Sequence, residues 1–171
     1  VVSAARADVV FDNAVKEMTA VASLLPGRSD SDFLAQFRYM GTSMAEDQEV
    51  ASYIANHTEK SDRILVWLPL PNIYIMAGRR PTGKHAYLLP LIYGPEGSRT
   101  KARQELMADL QLLRPRYVVL PSAPGGYREW GTLRFSIDPS PELMQSIGEN
   151  YVREAEISGR AIYRLRADSF G

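Results

Sequence analysis

A chain of 171 residues with 45% hydrophobic and 23% charged side chains is long enough to bury a core and too apolar to remain disordered. Zero cysteines exclude disulfides, thiolate chemistry and cysteine-ligated zinc. Net charge is zero but unevenly spread, with five cations and ten acids in residues 1–62 against ten cations and four acids in residues 79–134. That central basic block suits anionic lipid headgroups, phosphorylated ligands or nucleic acid, and equally a solvated arginine-rich surface.

The first segment with helical spacing holds Phe11, Ala14, Val15, Met18, Val21, Ala22 and Leu25, and Pro26-Gly27 closes it. No apolar run approaches the roughly 18 residues of a membrane span. The chain opens at Val1 with neither a methionine nor a signal-peptide pattern, so a fragment or processed form is expected. A shorter helix is predicted over 31–39, with Phe33 and Phe37 on one face.

Ser43 and Glu46 form a capping box ahead of Val50, Ala51 and Ile54, opening a helix that ends near His57-Thr58. "RILVWL", residues 63–68, has the length and continuous apolarity of a strand buried on both faces. In "PNIYIMAGRRPTGKH", residues 71–85, the side-chain types favour a strand. Pro71 at the start and Gly78 at the end are helix punctuation, and a short helix over 72–77 is the preferred reading. Residues 86–93 read as an extended stretch that Pro90 confines to an edge or an irregular path.

Ala102, Leu106, Leu110 and Leu113 make a helical stripe ended by Arg114-Pro115, and residues 116–122 form a second buried strand. Residues 122–135 read as loop with one short strand. Ser140 and Pro141 open a helix carrying Leu143, Met144, Ile147 and Tyr151, and residues 160–166 give a final strand. Helix followed by strand three times over predicts a layered α/β/α sandwich with a small, partly parallel sheet, Rossmann-like without a dinucleotide fingerprint.

Motifs for catalysis do not emerge. Neither buried strand is followed by G-x-G-x-x-G, and no phosphate-binding G-x-x-x-x-G-K-[ST] occurs. His57 and His85 stand outside metal-ligand spacing, Ser122 lacks a nucleophile-elbow pattern, and "DSD" at 30–32 reads as caps or exposed carboxylates. No catalytic residue, metal or cofactor is expected.

One stretch carries a resemblance. Val50, Ala51, Tyr53, Ile54 and Thr58 lead into Asp62, Arg63, Ile64, Val66 and Trp67, then Pro71, Ile73, Tyr74, Gly78, Arg79 and Pro81. This ordered set resembles the soluble stretch after the transmembrane helices in bacterial relatives of protein mannosyltransferases and aminoarabinose transferases. "PELMQSIGENYVREAEISGRAIYRLR" is similar to that family's terminal helix and strand. "WLPLP" departs from the glycine and acidic residue that many relatives place after the tryptophan. The family's catalytic acid lies in a loop between membrane helices, outside this sequence, so none is carried over.

The resemblance implies an accessory extracytoplasmic (periplasmic) domain of a membrane glycosyltransferase that uses polyprenyl-phosphate-linked sugars. Residues 1–42 would be a helical juxtamembrane-side segment packed on an α/β domain of residues 43–171, the two forming one globular unit. Its partner would be the transmembrane portion of the same polypeptide. Arg79, Arg80 and Lys84 would share one rim and meet anionic lipid, a lipid-linked sugar phosphate or loops of the transmembrane portion, since the arginine fork suits phosphate oxygens. In the alternative, one arginine pairs with a helix-end carboxylate and the other cations are solvated. Two other readings stand beside it: a free-standing α/β enzyme or small-ligand-binding protein, and a nucleic-acid-binding module. The aromatics Tyr87, Tyr93, Tyr127 and Trp130 form no stacking motif, which disfavours nucleic acid.

Overall fold

The computed structural model describes residues 38–39, 42–67, 71–86, 89–123, 127–130 and 133–167. The expected helix over 11–25 and the Asp30/Asp32 pair lie outside them. Of the helix expected over 31–39 only the end is described, and it is a strand: β1, Arg38–Tyr39, pairs with β2, Thr42–Ser43.

Helix α1, Met44–Asn56, opens on the capping box, with Ser43 Oγ accepting from Glu46 N and Glu46 Oε2 accepting from Ser43 N. Its apolar face holds Val50, Ala51 and Ile54 in the core. Strand β3, Arg63–Val66, follows, then the short helix α2, Asn72–Ala77, which stops at Gly78 with φ 61° and ψ 36°. That left-handed backbone is cheap only for glycine, and the Gly78 N–H reaches back to the carbonyls of Ile75 and Tyr74.

Strand β4, Arg80–Pro81, is two residues long. Residues 89–92 are helical (α3, Leu89–Ile92), correcting the extended reading of 86–93: Pro90 falls in the first turn, where a missing N–H costs nothing. Helix α4, Glu96–Leu113, ends at Arg114, and strand β5, Tyr117–Pro121, is buried over its first four residues.

The region 122–135 contains strand β6, Tyr127–Trp130, and the start of strand β7, Leu133–Ser136, which pair antiparallel as a separate ribbon. Helix α5, Pro141–Asn150, begins on the predicted Ser140 cap and gives way at Tyr151 to strand β8, Tyr151–Ile157. Tyr151 therefore belongs to a strand, not to the helix stripe. Ser158 and Gly159, both with positive φ, turn β8 back into strand β9, Arg160–Leu165.

The five-stranded sheet has the order β4-β3-β5-β9-β8. β4, β3 and β5 are parallel, while β9 and β8 join antiparallel. Alternation along the central strands separates two cores. Ile64, Val66, Tyr117, Val119 and Ile162 face α1 and α2, whereas Leu65, Trp67, Val118, Leu120 and Leu165 face α4 and α5. Helices cover both faces, giving the three-layer α/β/α arrangement that two-sided burial of β3 and β5 requires.

This topology also gathers the helix ends. Helices α1, α2 and α4 precede parallel strands, and α5 runs straight into β8, whose first residue pairs with Leu165, one step beyond the Tyr117–Arg164 pair and beside Arg116. All four helix C-termini therefore reach the same edge of the sheet, where the parallel strands begin.

Candidate functional site

The three cations expected on one rim have three separate destinations. Arg79 is 6% exposed and turned inward. Its Nε donates to Thr58 Oγ1 at 2.8 Å, Nη1 to the carbonyls of Ala77 (2.8 Å) and Gly78 (3.3 Å), and Nη2 to those of Ala55 (3.0 Å) and Thr58 (2.7 Å). Those five bonds match the five N–H groups of a guanidinium, so the fork is filled by the ends of α1 and α2 and presents no donor to an outside phosphate. The rim reading of Arg79 is corrected by this geometry. Carbonyls left open at two adjoining helix ends attract a buried cation more strongly than solvent does.

Arg80 lies half-buried in β4, opposite Arg63 in register. Lys84 turns toward α4 and pairs with Glu105 at 2.9 Å. His85 Nε2 meets the same carboxylate at 3.1 Å. The hydrogen bonds from Lys84 and then His85 hold the Glu105 carboxyl below its ordinary range. Gly83, with φ 71°, lets this loop press against Asp109, whose carboxylate fills the space a Cβ would need.

Most motif residues behind the family resemblance meet at one node. Because β4 is so short, the outward-facing N–H of Val66 lacks a strand partner, and the Tyr74 hydroxyl accepts it at 2.7 Å. Burial pushes that phenol far above its ordinary range, so it acts as a neutral strut. Thr58 and Arg79 lock the two helix ends, Arg63 Nη1 donates to the Pro81 carbonyl at 2.8 Å, and the Trp67 indole donates to the Ile137 carbonyl at 2.7 Å. Val50, Ala51, Ile54, Ile64, Val66, Ile73 and Tyr74 share one core cluster around them. Comparison with family models, with characterised proteins and with solved structures finds no match to this chain.

Two further polar clusters tie layers together. Arg160, 2% exposed, pairs with Asp47 through Nη2 at 2.6 Å, and Asn72 Nδ2 donates to the other Asp47 oxygen at 3.0 Å. Burial raises the Asp47 carboxyl, and Arg160 opposes that rise. On the same face of the sheet, Glu154 accepts from Tyr117 (2.6 Å), from Tyr53 (2.9 Å) and from Arg164 Nε. Burial resists ionisation of Glu154, but the bonds from Tyr117, Arg164 and Tyr53 together hold its carboxyl below its ordinary range. Burial and the Glu154 bond raise both phenols. A carboxylate saturated by three donors is a poor general base, and raised phenols are poor nucleophiles.

His57 stacks on Tyr53 at 4.1 Å between ring centroids, and its Nδ1 lies 2.7 Å from the Tyr53 carbonyl. Among the described residues no group of three or more potential ligands gathers to hold a metal. The Ser122 hydroxyl is buried without a hydrogen-bond partner.

The feature that sequence order hides is the sheet edge where the parallel strands begin. Arg80 and Arg63 are register partners, Arg116 N donates to the Arg63 carbonyl at 2.8 Å, and Leu165 N donates to the Arg116 carbonyl at 3.0 Å, with Arg166 next in chain. Arginines therefore follow one another across four adjacent strands, spaced by about 4.8 Å per strand. Arg114 stands just before them, at the end of α4 with φ 40°. Arg114, Arg116 and Arg166 are exposed, as is Lys60 in the turn before β3.

Part of this charge answers the helix ends. Arg166 donates to the carbonyls of Tyr151 (3.1 Å) and Gly148 (3.4 Å), and Arg114 Nε to that of Gln111 (3.4 Å). Among the described residues the acids at this edge are Glu59, Asp62 and Glu149, against Lys60 and five arginines. At the opposite edge the first turns of α1, α4 and α5 carry Glu46 and Asp47, Glu96, and Glu142, and arginines answer them: Arg160 pairs with Asp47 and Arg99 with Glu96. The recognisable signal in the sequence is an arginine at or just before each central strand, as in "DRILV", "GRRP" and "RPRYVV".

Proposed function

We propose that this chain is an accessory extracytoplasmic domain of a polyprenyl-phosphate-sugar-dependent membrane glycosyltransferase. It docks against the transmembrane portion of the same polypeptide and performs no bond chemistry itself. The observation that carries this reading is the node around Arg79. Most of the residues that resemble the transferase family, scattered from Val50 to Pro81, serve one shared structural purpose: they join α1, α2 and the β3–β4 corner, while Tyr53 bonds Glu154 and Trp67 packs on the other face of the sheet. A set of residues that keeps its order because it builds a corner of the fold supports common architecture, and it accounts for a motif without a reactive group.

The test compares the 171-residue chain with the full natural polypeptide purified from membranes, both supplied with a polyprenyl-phosphate sugar donor. Transfer is expected from the membrane-embedded protein and none from the chain alone. Turnover by the chain alone overturns the reading, as does a natural reading frame without hydrophobic spans.

A further inference from the structure

We propose that the arginine edge is a docking surface for an anionic lipid bilayer. The proposal rests on the charges and shape of this edge and stands whether or not the sugar-transfer reading holds.

The topology sets the charge balance of this edge. Four helix C-termini contribute roughly −0.5 charge each at most, which offsets part of the cationic charge gathered there. Among the described residues Lys60, Arg63, Arg80, Arg114, Arg116 and Arg166 outnumber the acids Glu59, Asp62 and Glu149 at this edge. Arg79 adds its charge from beneath. The front is broad because the cations follow successive strands of one sheet and are not strung along a groove. A plane of headgroups is the natural counterpart of such a front.

Apolar side chains decide between lipid and nucleic acid. Leu112, in the last turn of α4 beside Arg114, is 79% exposed. Val152, opposite Arg164 at the start of β8, is 38% exposed. A shallow cleft opens between the ends of α4 and α5, lined by Leu110, Gln111, Arg114, Asn150, Tyr151 and Leu165. Protruding aliphatic residues among arginines suit the boundary between headgroups and acyl chains. Single-stranded nucleic acid would instead call for a series of open aromatic faces on which bases stack, whereas Tyr53 and His57 at the end of α1 stack on each other.

The experiment is co-sedimentation of the whole chain with vesicles of phosphatidylcholine alone or mixed with phosphatidylserine, alongside a single-stranded RNA binding assay. Binding is expected to the mixed vesicles only and to weaken with salt. Each exposed cation near an anionic leaflet favours binding by roughly fivefold, so Arg114→Ala/Arg116→Ala/Arg166→Ala should lower partitioning by about two orders of magnitude. Arg114 and Arg166 also bond helix-end carbonyls, so Arg116→Ala alone, expected to cost roughly fivefold, keeps the test independent of folding. Leu112→Gln should weaken binding, and Lys101→Ala, on the exposed flank of α4, should not. Equal partitioning into both vesicle types, full binding by the triple variant, or binding to RNA with none to vesicles overturns the proposal.

Discussion

Replacing Arg79 with alanine removes one guanidinium that holds two helix ends and a turn together. The Ala77 carbonyl is left buried and unsatisfied, which costs about 1–3 kcal/mol. The bonds at Ala55, Thr58 and Gly78 lie nearer the surface, where water replaces the lost donors at about 0.5–1 kcal/mol each. Loss of the cation from the ends of α1 and α2 adds about 0.5 kcal/mol per helix. The expected destabilisation is about 3.5–7 kcal/mol, a large share of the roughly 5–15 kcal/mol that holds a domain folded.

Urea unfolding of parent and variant measures the loss directly, and for a chain of this size the melting temperature should fall by about 2–4 °C per kcal/mol. Arg79→Lys keeps the charge but cannot span both helix ends, so it should recover only a minor part. A loss below about 1 kcal/mol in Arg79→Ala would refute the argument and return Arg79 to the cations available to an outside ligand.

Arg160→Met should destabilise by about 3–5 kcal/mol because it strands the Asp47 carboxylate in the core, whereas Asp47→Asn/Arg160→Met should recover much of that loss; thermal melts of the three variants check the order. Glu154 has a folded pKa below its ordinary value of 4.5. Its contribution is therefore complete above that value and is lost as pH falls through the folded pKa, so Glu154→Gln should flatten acid unfolding below about pH 4.5. Asp47 has the opposite sign. Its raised carboxyl weakens the fold as pH rises above its ordinary value of 3.8, and Asp47→Asn should remove that trend from a stability–pH curve.

Residues whose partners are close in sequence were legible from sequence alone. The Ser43–Glu46 box, the Pro71 and Gly78 punctuation of α2, the α4 stripe and the Ser140 cap all appear where their local chemistry puts them. Strand β8 is harder to read because α5 runs into it without a break and Tyr151 keeps helical spacing with Leu143 and Ile147. Its outward residues are charged, and only Tyr151 is fully buried, so the alternation that marks a strand is faint.

The candidate sites depend on contacts between distant residues. Arg79 is drawn inward by carbonyls from Ala55 and Thr58, more than twenty residues earlier. The arginine edge assembles residues from 63 to 166, and nothing in their spacing announces that four strands begin side by side.

Both borders of the five-stranded sheet are poor templates for another copy. β4 offers two residues, one of them a proline without an N–H, and the β8 border shifts register between Arg153 and Ala155 and carries Arg153 and Glu156. Chains at high concentration meet their neighbours far more often than dilute ones do. Borders that refuse to zip together let copies stay separate even at high concentration, so this fold should resist strand-to-strand association.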